Sequence, residues 1–197
     1  MDLKNKKIGF GITASHCTLS KMIPALEDLV YKGADVTPIL SDAIINRDTK
    51  FGKAEEWIKK IETITQKSPI DSIVKAEPIG PGKLFDLMIV APCTGNTLAK
   101  IANGIIDETV VMAVKAQLRN SRPVLIAIAT NDGLGINAKN IGLLLNDRHI
   151  FFVPFGQDNP AEKANSLVSR MDILSISAEM ALEGKQIQPV LIEYMGI

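Results

Sequence analysis

Short apolar runs alternate with amphipathic stretches along most of the chain. The runs have the length of buried strands, and we predict strands at 7–12, 35–40, 71–77, 85–90, 123–129 and 149–153. Between them, apolar residues recur at spacings of three and four, which predicts helices at 15–32, 54–65, 94–102, 107–118, 137–145 and 161–182. Because strands that alternate with helices are joined by right-handed crossovers, the pattern predicts a three-layer α/β fold. Its sheet is mostly parallel and has helices on both faces.

Composition narrows the classes of protein that the chain can belong to. The 197 residues include 22 Lys plus Arg and 22 Asp plus Glu, and a chain without excess positive charge is a poor partner for nucleic acid. The apolar runs are far shorter than the ~20 residues that span a membrane. Two cysteines do not make a disulfide framework, which favours a cytoplasmic location. Cys17, Cys93, His16 and His149 lack the spacing of zinc ligands, so we expect no metal site.

No linker or repeat divides the sequence. We therefore predict a single domain over residues 1–197, with a C-terminal helix and tail from about 161. The tail segment 189–194 is apolar for a chain end, and it is expected either to add an edge strand or to dock on a neighbouring protomer.

Ligands of open parallel sheets bind at the carboxyl ends of the strands. The loops predicted there are 11–18, 41–46, 91–97, 130–137 and 154–160. At the first of these loops the sequence reads Gly9-Phe-Gly11-Ile-Thr13-Ala14-Ser15, a G-x-G-x-x-A pattern that runs from the end of a strand to the start of a helix. Small residues let a phosphate approach the backbone, and a helix N-terminus supplies free N–H donors. The alternative is a tight turn that binds nothing.

Two kinds of phosphate ligand fit the loop after the second strand. A dinucleotide requires an acidic residue there for its ribose hydroxyls, and Asp42 is in place. A mononucleotide phosphate instead takes a hydrogen bond from Ser41, with Asp42 pointing to solvent. The spacing of these residues leaves both alternatives open.

The loop at 91–97 holds a cluster of small and polar residues. Cys93 or Thr94 can cap the following helix, whose N-terminus attracts anions. Asn96 and Thr97 offer directional donors and acceptors suited to the edge of a flat polar heterocycle. A plain helix cap, the alternative, requires only one such residue.

The stretch from Ala91 to Asp107 resembles the A-P-x-[TS]-x-N-T-x-x-K-x-A-x-G-I-x-D motif of the homo-oligomeric flavin-containing Cys decarboxylase family. Gly11-Ile-Thr13-Ala14-Ser15 stands where the family has G-x-T-G-S, and Ser41-Asp42-Ala43 resembles its S-x-A. Ala129-Thr130-Asn131 stands where its decarboxylases have A-M-N. The resemblance covers about residues 6–155.

This resemblance implies a Rossmann-like or flavodoxin-like fold that binds FMN across the interface of a trimer, and thus a mononucleotide in preference to NAD. It implies that the flavin phosphate lies near Gly11, Thr13, Ala14, Ser15 and Ser41. It implies that the ring lies beside Ala91, Pro92, Cys93, Thr94, Asn96 and Thr97, with Asn131 on the substrate side.

The chain also departs from the family pattern. Residues 44–62 contain no histidine, although the family's decarboxylases carry their catalytic His there. The segments 130–134 and 153–160 resemble a narrower group, in which the flavoprotein-like subunit works with a nicotinamide-dependent dehydrogenase-like partner in sporulating cells. That resemblance implies oxidation of a dihydropyridine dicarboxylate in the mother-cell cytoplasm, with NADP available through the partner. A family decarboxylase or prenyltransferase, and a non-catalytic binding protein, remain alternatives.

Three residues are candidates for a catalytic role: His16, Cys93 and Asn131. His16 can act as a general acid or base or bind a carboxylate near neutral pH. Cys93, like Cys17, needs a base or a helix N-terminus to form a thiolate, and a small polarisable pocket residue is the simpler interpretation. The dicarboxylate would require cations, for which the candidates are Lys100, Lys139, Arg148 and Lys163.

Overall fold

The computed structural model describes residues 2–194. Within this range the strands are β1 (Lys7–Ile12), β2 (Asp35–Leu40), β3 (Leu87–Cys93), β4 (Val124–Thr130), β5 (Ile150–Phe152), β6 (Phe155–Gly156) and β7 (Leu167–Ser169). The helices are α1 (His16–Tyr31), α2 (Asp42–Asn46), α3 (Ala54–Thr65), α4 (Ile73–Ala76), α5 (Ile79–Gly82), α6 (Gly95–Asn103), α7 (Thr109–Leu118), α8 (Ala138–Leu145) and α9 (Leu174–Leu182). A short 3₁₀ turn at Met171–Ile173 precedes α9.

The first five strands pair in parallel in the order β2-β1-β3-β4-β5. This is the strand order of flavodoxin-like sheets, whose switch point lies between β1 and β3. The register sets Ile12 opposite Leu40, so the loops that follow β1 and β2 leave the sheet side by side. The predicted three-layer α/β fold is confirmed.

Two hydrophobic clusters fill the two faces of the sheet. Alternate strand residues such as Phe10 and Ile89 pack with helices α1, α3 and α9 on one face. Their neighbours, such as Met88 and Val90, pack on the other face with residues of α6, α7 and α8. Because strand side chains alternate between faces, both faces of each central strand must be apolar, which explains the nearly unbroken apolar runs in the sequence.

The predicted helix at 161–182 is wrong over its first part. Residues 167–169 form β7, which pairs antiparallel with β4 and then with β6, and α9 begins only at Leu174. β5 lies beside only the first half of β4, so the backbone at Ala129–Thr130 needs another partner. Ser169 secures the junction, because its hydroxyl accepts from the Ile128 N–H at 2.8 Å and donates to the Val153 carbonyl at 3.1 Å.

The predicted strand at 71–77 is also wrong, because this segment contains the short helix α4. The Ser72 hydroxyl caps it by accepting from the Lys75 N–H at 3.4 Å. Only Ile70, just before it, makes a bridge to β2, at Ile39. The cap satisfies one of the N–H groups that a helix start leaves free, and so it favours a helix over a strand in this segment.

The tail lies along β6, in part as predicted. The Phe155 N–H donates to the Val190 carbonyl, and the Ile192 N–H donates to the Phe155 carbonyl, both at 3.0 Å. These bonds make a single parallel bridge and not a full strand. Residue 1 and residues 195–197 of the predicted domain and tail lie outside the described residues.

Candidate functional site

A cleft of about 530 Å³ opens at the carboxyl ends of β1, β3 and β4. It is lined by 14–18, Lys21, Phe51, Thr94, Gly95, 129–131, Asp158, Lys163, Ser166 and Val168. A second cavity of about 670 Å³ adjoins it and shares Lys21, Asp158 and Val168 with it. The cleft is therefore at the place where an open parallel sheet binds its ligands.

The first loop presents hydroxyl and thiol groups to this cleft. The Ser15 hydroxyl lies 2.9 Å from the Thr18 hydroxyl and 3.9 Å from the Cys17 sulfur. Ser15 precedes the first residue of α1, but its side chain makes no capping bond to the helix. Since first-turn N–H groups of a helix have no partner within the helix, this end of α1 is suited to an anionic group.

Thr13 ties the first loop to the loop after β3. Its hydroxyl donates to the Pro92 carbonyl at 2.7 Å and accepts from the Thr94 N–H at 3.0 Å, and the residue is buried. Thr13 therefore fixes the relative position of two predicted ligand-binding loops.

The start of α6 is held by a chain of three side chains. Thr94 caps the helix by accepting from the Thr97 N–H at 3.4 Å, and its hydroxyl donates to the Thr97 hydroxyl at 3.2 Å. Thr97 is buried and donates in turn to Glu108 at 3.3 Å. The Thr97 hydroxyl is thus engaged within the protein and does not line the cleft.

Glu108 belongs to a charged cluster that the sequence reasoning missed. Lys100 forms an ion pair with Asp107 at 2.7 Å, and this hydrogen bond is the main cause that raises the Lys100 pKa. Burial raises the pKa of Glu108, against the opposing effects of Lys100 and of the hydrogen bond from Thr97. The signal in the sequence was the placement of Lys100 and Asp107 within the same motif as Thr97.

A second polar network, also missed, supports the loop after β4. Asp132 accepts from the Thr130 hydroxyl and from the Asn137 amide, whose nitrogen lies 2.9 and 3.0 Å from the two carboxylate oxygens. Asn140 donates to Asn137 at 2.8 Å and continues the network along α8. Gly95 packs directly on this network, because a Cβ there would lie 2.5 Å from the Thr130 hydroxyl and 2.7 Å from the side chains of Asp132 and Asn137.

The predicted ligand residues are only partly brought together. Those that line the cleft are Ala14, Ser15, His16, Thr94 and Asn131. Those that do not are Gly11, Thr13, Ser41, Ala91, Pro92, Cys93, Asn96 and Thr97. Asn96 is exposed on the first turn of α6, and Gly11 faces the core, where a Cβ would lie 2.9 Å from side-chain atoms of Met88 and Val110.

Of the two cysteines, only Cys17 reaches the cleft. Cys93 is fully buried in the hydrophobic cluster on the α7 face. Burial, with a smaller contribution from Glu108, raises the pKa of the Cys93 thiol far above its ordinary value. This environment opposes formation of a thiolate.

Two buried polar atoms near the ends of β1 and β2 have no hydrogen-bond partner among the described residues: Ser41 Oγ and His16 Nδ1. Ser41 follows β2 directly, and its N–H donates to Ile12 at the end of β1. Burial and the neighbouring Arg47 lower the pKa of His16. An unpaired buried polar atom is costly, so both atoms fit a site that a polar group of a ligand completes.

The described part of the chain contains neither a helix with the length and hydropathy of a membrane span nor a cluster of residues arranged to hold a metal ion.

The strand order and the strand-end cleft define a flavodoxin-like α/β protein with a site at the carboxyl ends of its strands. The sequence model of the Flavoprotein family matches residues 1–179, and the chain belongs to this family.

Particular relatives are closely similar over the whole length. The chain is 50% identical over 195 residues to the dipicolinate synthase B subunit of Bacillus subtilis (strain 168), an alignment that covers 98% of each sequence. The crystal structure of the dipicolinate synthase B subunit from Bacillus halodurans C superimposes with a TM-score of 0.91, at 50% identity over 99% of this chain and 100% of that one.

A more distant structure shares the fold alone. The dodecameric FMN-dependent Ubix-like decarboxylase from Escherichia coli O157:H7 gives a TM-score of 0.58 at 22% identity, over 75% of this chain and 79% of that one.

Proposed function

We propose that this chain is the B subunit of a dipicolinate synthase. In this proposal it works with a dehydrogenase-like A subunit, in the mother-cell cytoplasm during sporulation, to oxidise dihydrodipicolinate to dipicolinate (pyridine-2,6-dicarboxylate). The observation that carries the proposal is the 50% identity to a protein of that name over 98% of both sequences. The oxidation removes two protons and two electrons from a dihydropyridine ring, so an electron acceptor is required.

FMN is the proposed acceptor, and the family supports a flavin. The partnerless Ser41 Oγ and His16 Nδ1, together with Ser15 at the start of α1, fit the phosphate end of FMN. Thr94 and Gly95, which line the cleft after β3, would then lie beside the ring. When bound, a flavin would supply the hydride acceptor for this oxidation, and NADP held by the A subunit would be the further electron carrier in this proposal.

The residues of the cleft would bind and orient the substrate. Asn131 is exposed at the cleft, and its side-chain oxygen accepts from the Ser166 hydroxyl at 3.5 Å, which leaves its amide nitrogen free to donate. Since burial lowers the pKa of His16, its imidazole is neutral at neutral pH and can accept a proton released by the substrate. Cys93, buried in the core, takes no part.

A decarboxylase or prenyltransferase of the same family is the second candidate, since relatives of both kinds share part of this sequence or fold. Residues 44–62 contain no histidine, which argues against the chemistry of the Cys decarboxylases. We further propose a homo-oligomer built from trimers, to be measured by light scattering of the purified protein.

The decisive experiment combines the chain, FMN and the A subunit encoded by the same organism. We expect the purified chain to bind FMN, seen as a shift of the flavin absorbance, and the pair to form dipicolinate, seen by chromatography. Asn131→Ala should retain FMN and lose most of the dipicolinate formed. If the A subunit alone is as active as the pair, the chain is a non-catalytic partner and this proposal is wrong.

A further inference from the structure

One face of α1 runs from the cleft into the adjoining cavity. Cys17 and Lys21, four residues apart, lie on this face and line the cleft, and Lys21 and Ala25 line the second cavity. Lys21 therefore stands at the junction between the two spaces. It forms no ion pair within residues 2–194, and its side chain is exposed.

A second lysine reaches the cleft from a different wall. Lys163 belongs to the segment between β6 and β7, and its ammonium group lies 3.8 Å from the Asp158 carboxylate. That distance allows only a weak ion pair. With His16 kept neutral by its lowered pKa, the charged groups lining the cleft are Lys21, Lys163 and Asp158, so positive charge is in excess there.

The segment that carries Lys163 is braced internally. The Gln157 amide donates to the Ala164 carbonyl at 2.7 Å, and the Lys163 N–H donates to the Asn159 carbonyl at 2.8 Å. The Leu134 N–H donates to the Asn165 carbonyl at 3.0 Å and fixes the segment to the loop after β4. The wall is therefore preorganised, which lowers the entropic cost of binding a ligand.

We propose that Lys21 and Lys163 each bind one carboxylate of the substrate and so determine specificity for a dicarboxylate. The proposal rests on the function proposed above and adds to it the residues that recognise the two acidic groups. Two cations on different walls of one cleft suit an anion with a carboxylate at each side of a ring, whereas a monocarboxylate can engage only one of them. Lys163 exchanges its weak pairing with Asp158 for a carboxylate of the ligand.

The test measures binding by calorimetry and uses two probes, dipicolinate and pyridine-2-carboxylate, which lacks one carboxylate. The variants are Lys21→Met and Lys163→Met, which keep the apolar stem, and their arginine counterparts. Lys60→Met, on the exposed side of α3, removes one charge far from the cleft as a matched control. Each protein is measured alone and with the A subunit.

We expect either methionine variant to bind dipicolinate about tenfold or more weakly. The affinity of each methionine variant for dipicolinate should then approach its affinity for pyridine-2-carboxylate, so that the preference for two carboxylates disappears. Lys21→Arg and Lys60→Met should retain this preference. If the preference persists in both methionine variants, Lys21 and Lys163 do not bind the two carboxylates, and the proposed function is left intact. If the unmodified chain binds dipicolinate neither alone nor with the A subunit, and the pair forms none, both proposals are wrong.

Discussion

The Thr13 hydroxyl donates to the Pro92 carbonyl at 2.7 Å across 79 positions of sequence, and this bond joins the loops that follow β1 and β3. The same oxygen accepts from the Thr94 N–H, so one buried hydroxyl is both donor and acceptor. In this position Thr13 shapes the site without lining it. The cleft between the two loops therefore depends on the hydrogen bonds of a residue that makes no contact with its interior.

Replacing Thr13 with valine should test this role. Valine keeps the shape but leaves the Thr94 N–H without its acceptor, and an unpaired buried donor costs about 1–3 kcal/mol. We expect the free energy of unfolding in urea to fall by about that amount, and FMN binding to weaken with it. Thr13→Ser retains the hydroxyl and should lose less. If Thr13→Val is as stable as the unmodified protein and Thr13→Ser is the less stable of the two, the methyl group, not the hydroxyl, matters.

Gly95 should tolerate no side chain. A Cβ at this position would lie 2.5 Å from the Thr130 hydroxyl and 2.7 Å from Asp132 and Asn137, so alanine must displace the network that supports the loop after β4. We expect Gly95→Ala to lower the free energy of unfolding by about 1–3 kcal/mol. The matched control is Gly142→Ala in α8, where no atom lies within 4 Å of the added Cβ. There alanine should stabilise the helix by about 0.5–1 kcal/mol. In thermal unfolding, the midpoint should fall for Gly95→Ala and rise for Gly142→Ala.

The central fold could be predicted from the sequence because its signals are local. The runs at 7–12 and 35–40 match β1 and β2, since strands buried on both faces must be continuously apolar. β7 could not be predicted in this way. Its formation depends on β5 being too short to cover the far half of β4, a requirement that arises only when the sheet is assembled.

The candidate site was predicted less completely than the fold. Ser15, Thr94 and Asn131, which were predicted site residues at strand ends, line one cleft, and their role there stays a prediction. The sequence did not indicate that Thr97 donates to Glu108, because Glu108 lies between α6 and α7 and meets Thr97 only in the folded chain. Lys21 was also missed, since a lysine in an amphipathic helix ordinarily indicates only a solvated face.

The two cysteines should differ sharply in reactivity. Cys17 is exposed at the cleft, whereas Cys93 is buried and its thiol has a strongly raised pKa. Because the thiolate is the reactive species, we expect an aromatic disulfide reagent to modify one thiol per native chain and a second only after denaturation. Native Cys17→Ser should react with none. Rapid modification of this variant under native conditions would contradict the burial of Cys93.

Glu108 should make stability depend on pH. Burial raises its pKa above 4.5, so the folded protein holds the proton more firmly than the unfolded chain does. Stability must then fall as the pH rises from about 4.5 through the raised value of the folded state. Glu108→Gln removes the charge and can still accept from Thr97. We measure the free energy of unfolding of this variant and of the unmodified protein by urea titrations at a series of pH values. The variant's value minus that of the unmodified protein should increase as the pH rises through this range. A constant difference would mean that the carboxyl is not perturbed.

Ser41 should affect ligand binding without stabilising the free protein. Its buried hydroxyl has no partner among the described residues, so Ser41→Ala removes no hydrogen bond from the FMN-free protein. The free energy of unfolding of that protein should rise, by no more than about 1 kcal/mol. Because the hydroxyl is proposed to bind the flavin phosphate, FMN affinity should fall about tenfold in the same variant. Ser177→Ala is the matched control: this buried serine donates to the Ile173 carbonyl at 2.8 Å, so its loss should destabilise the protein and leave FMN affinity unchanged. FMN titration and urea unfolding of both variants separate the two roles. An FMN affinity that Ser41→Ala leaves unaltered would remove Ser41 from the phosphate site.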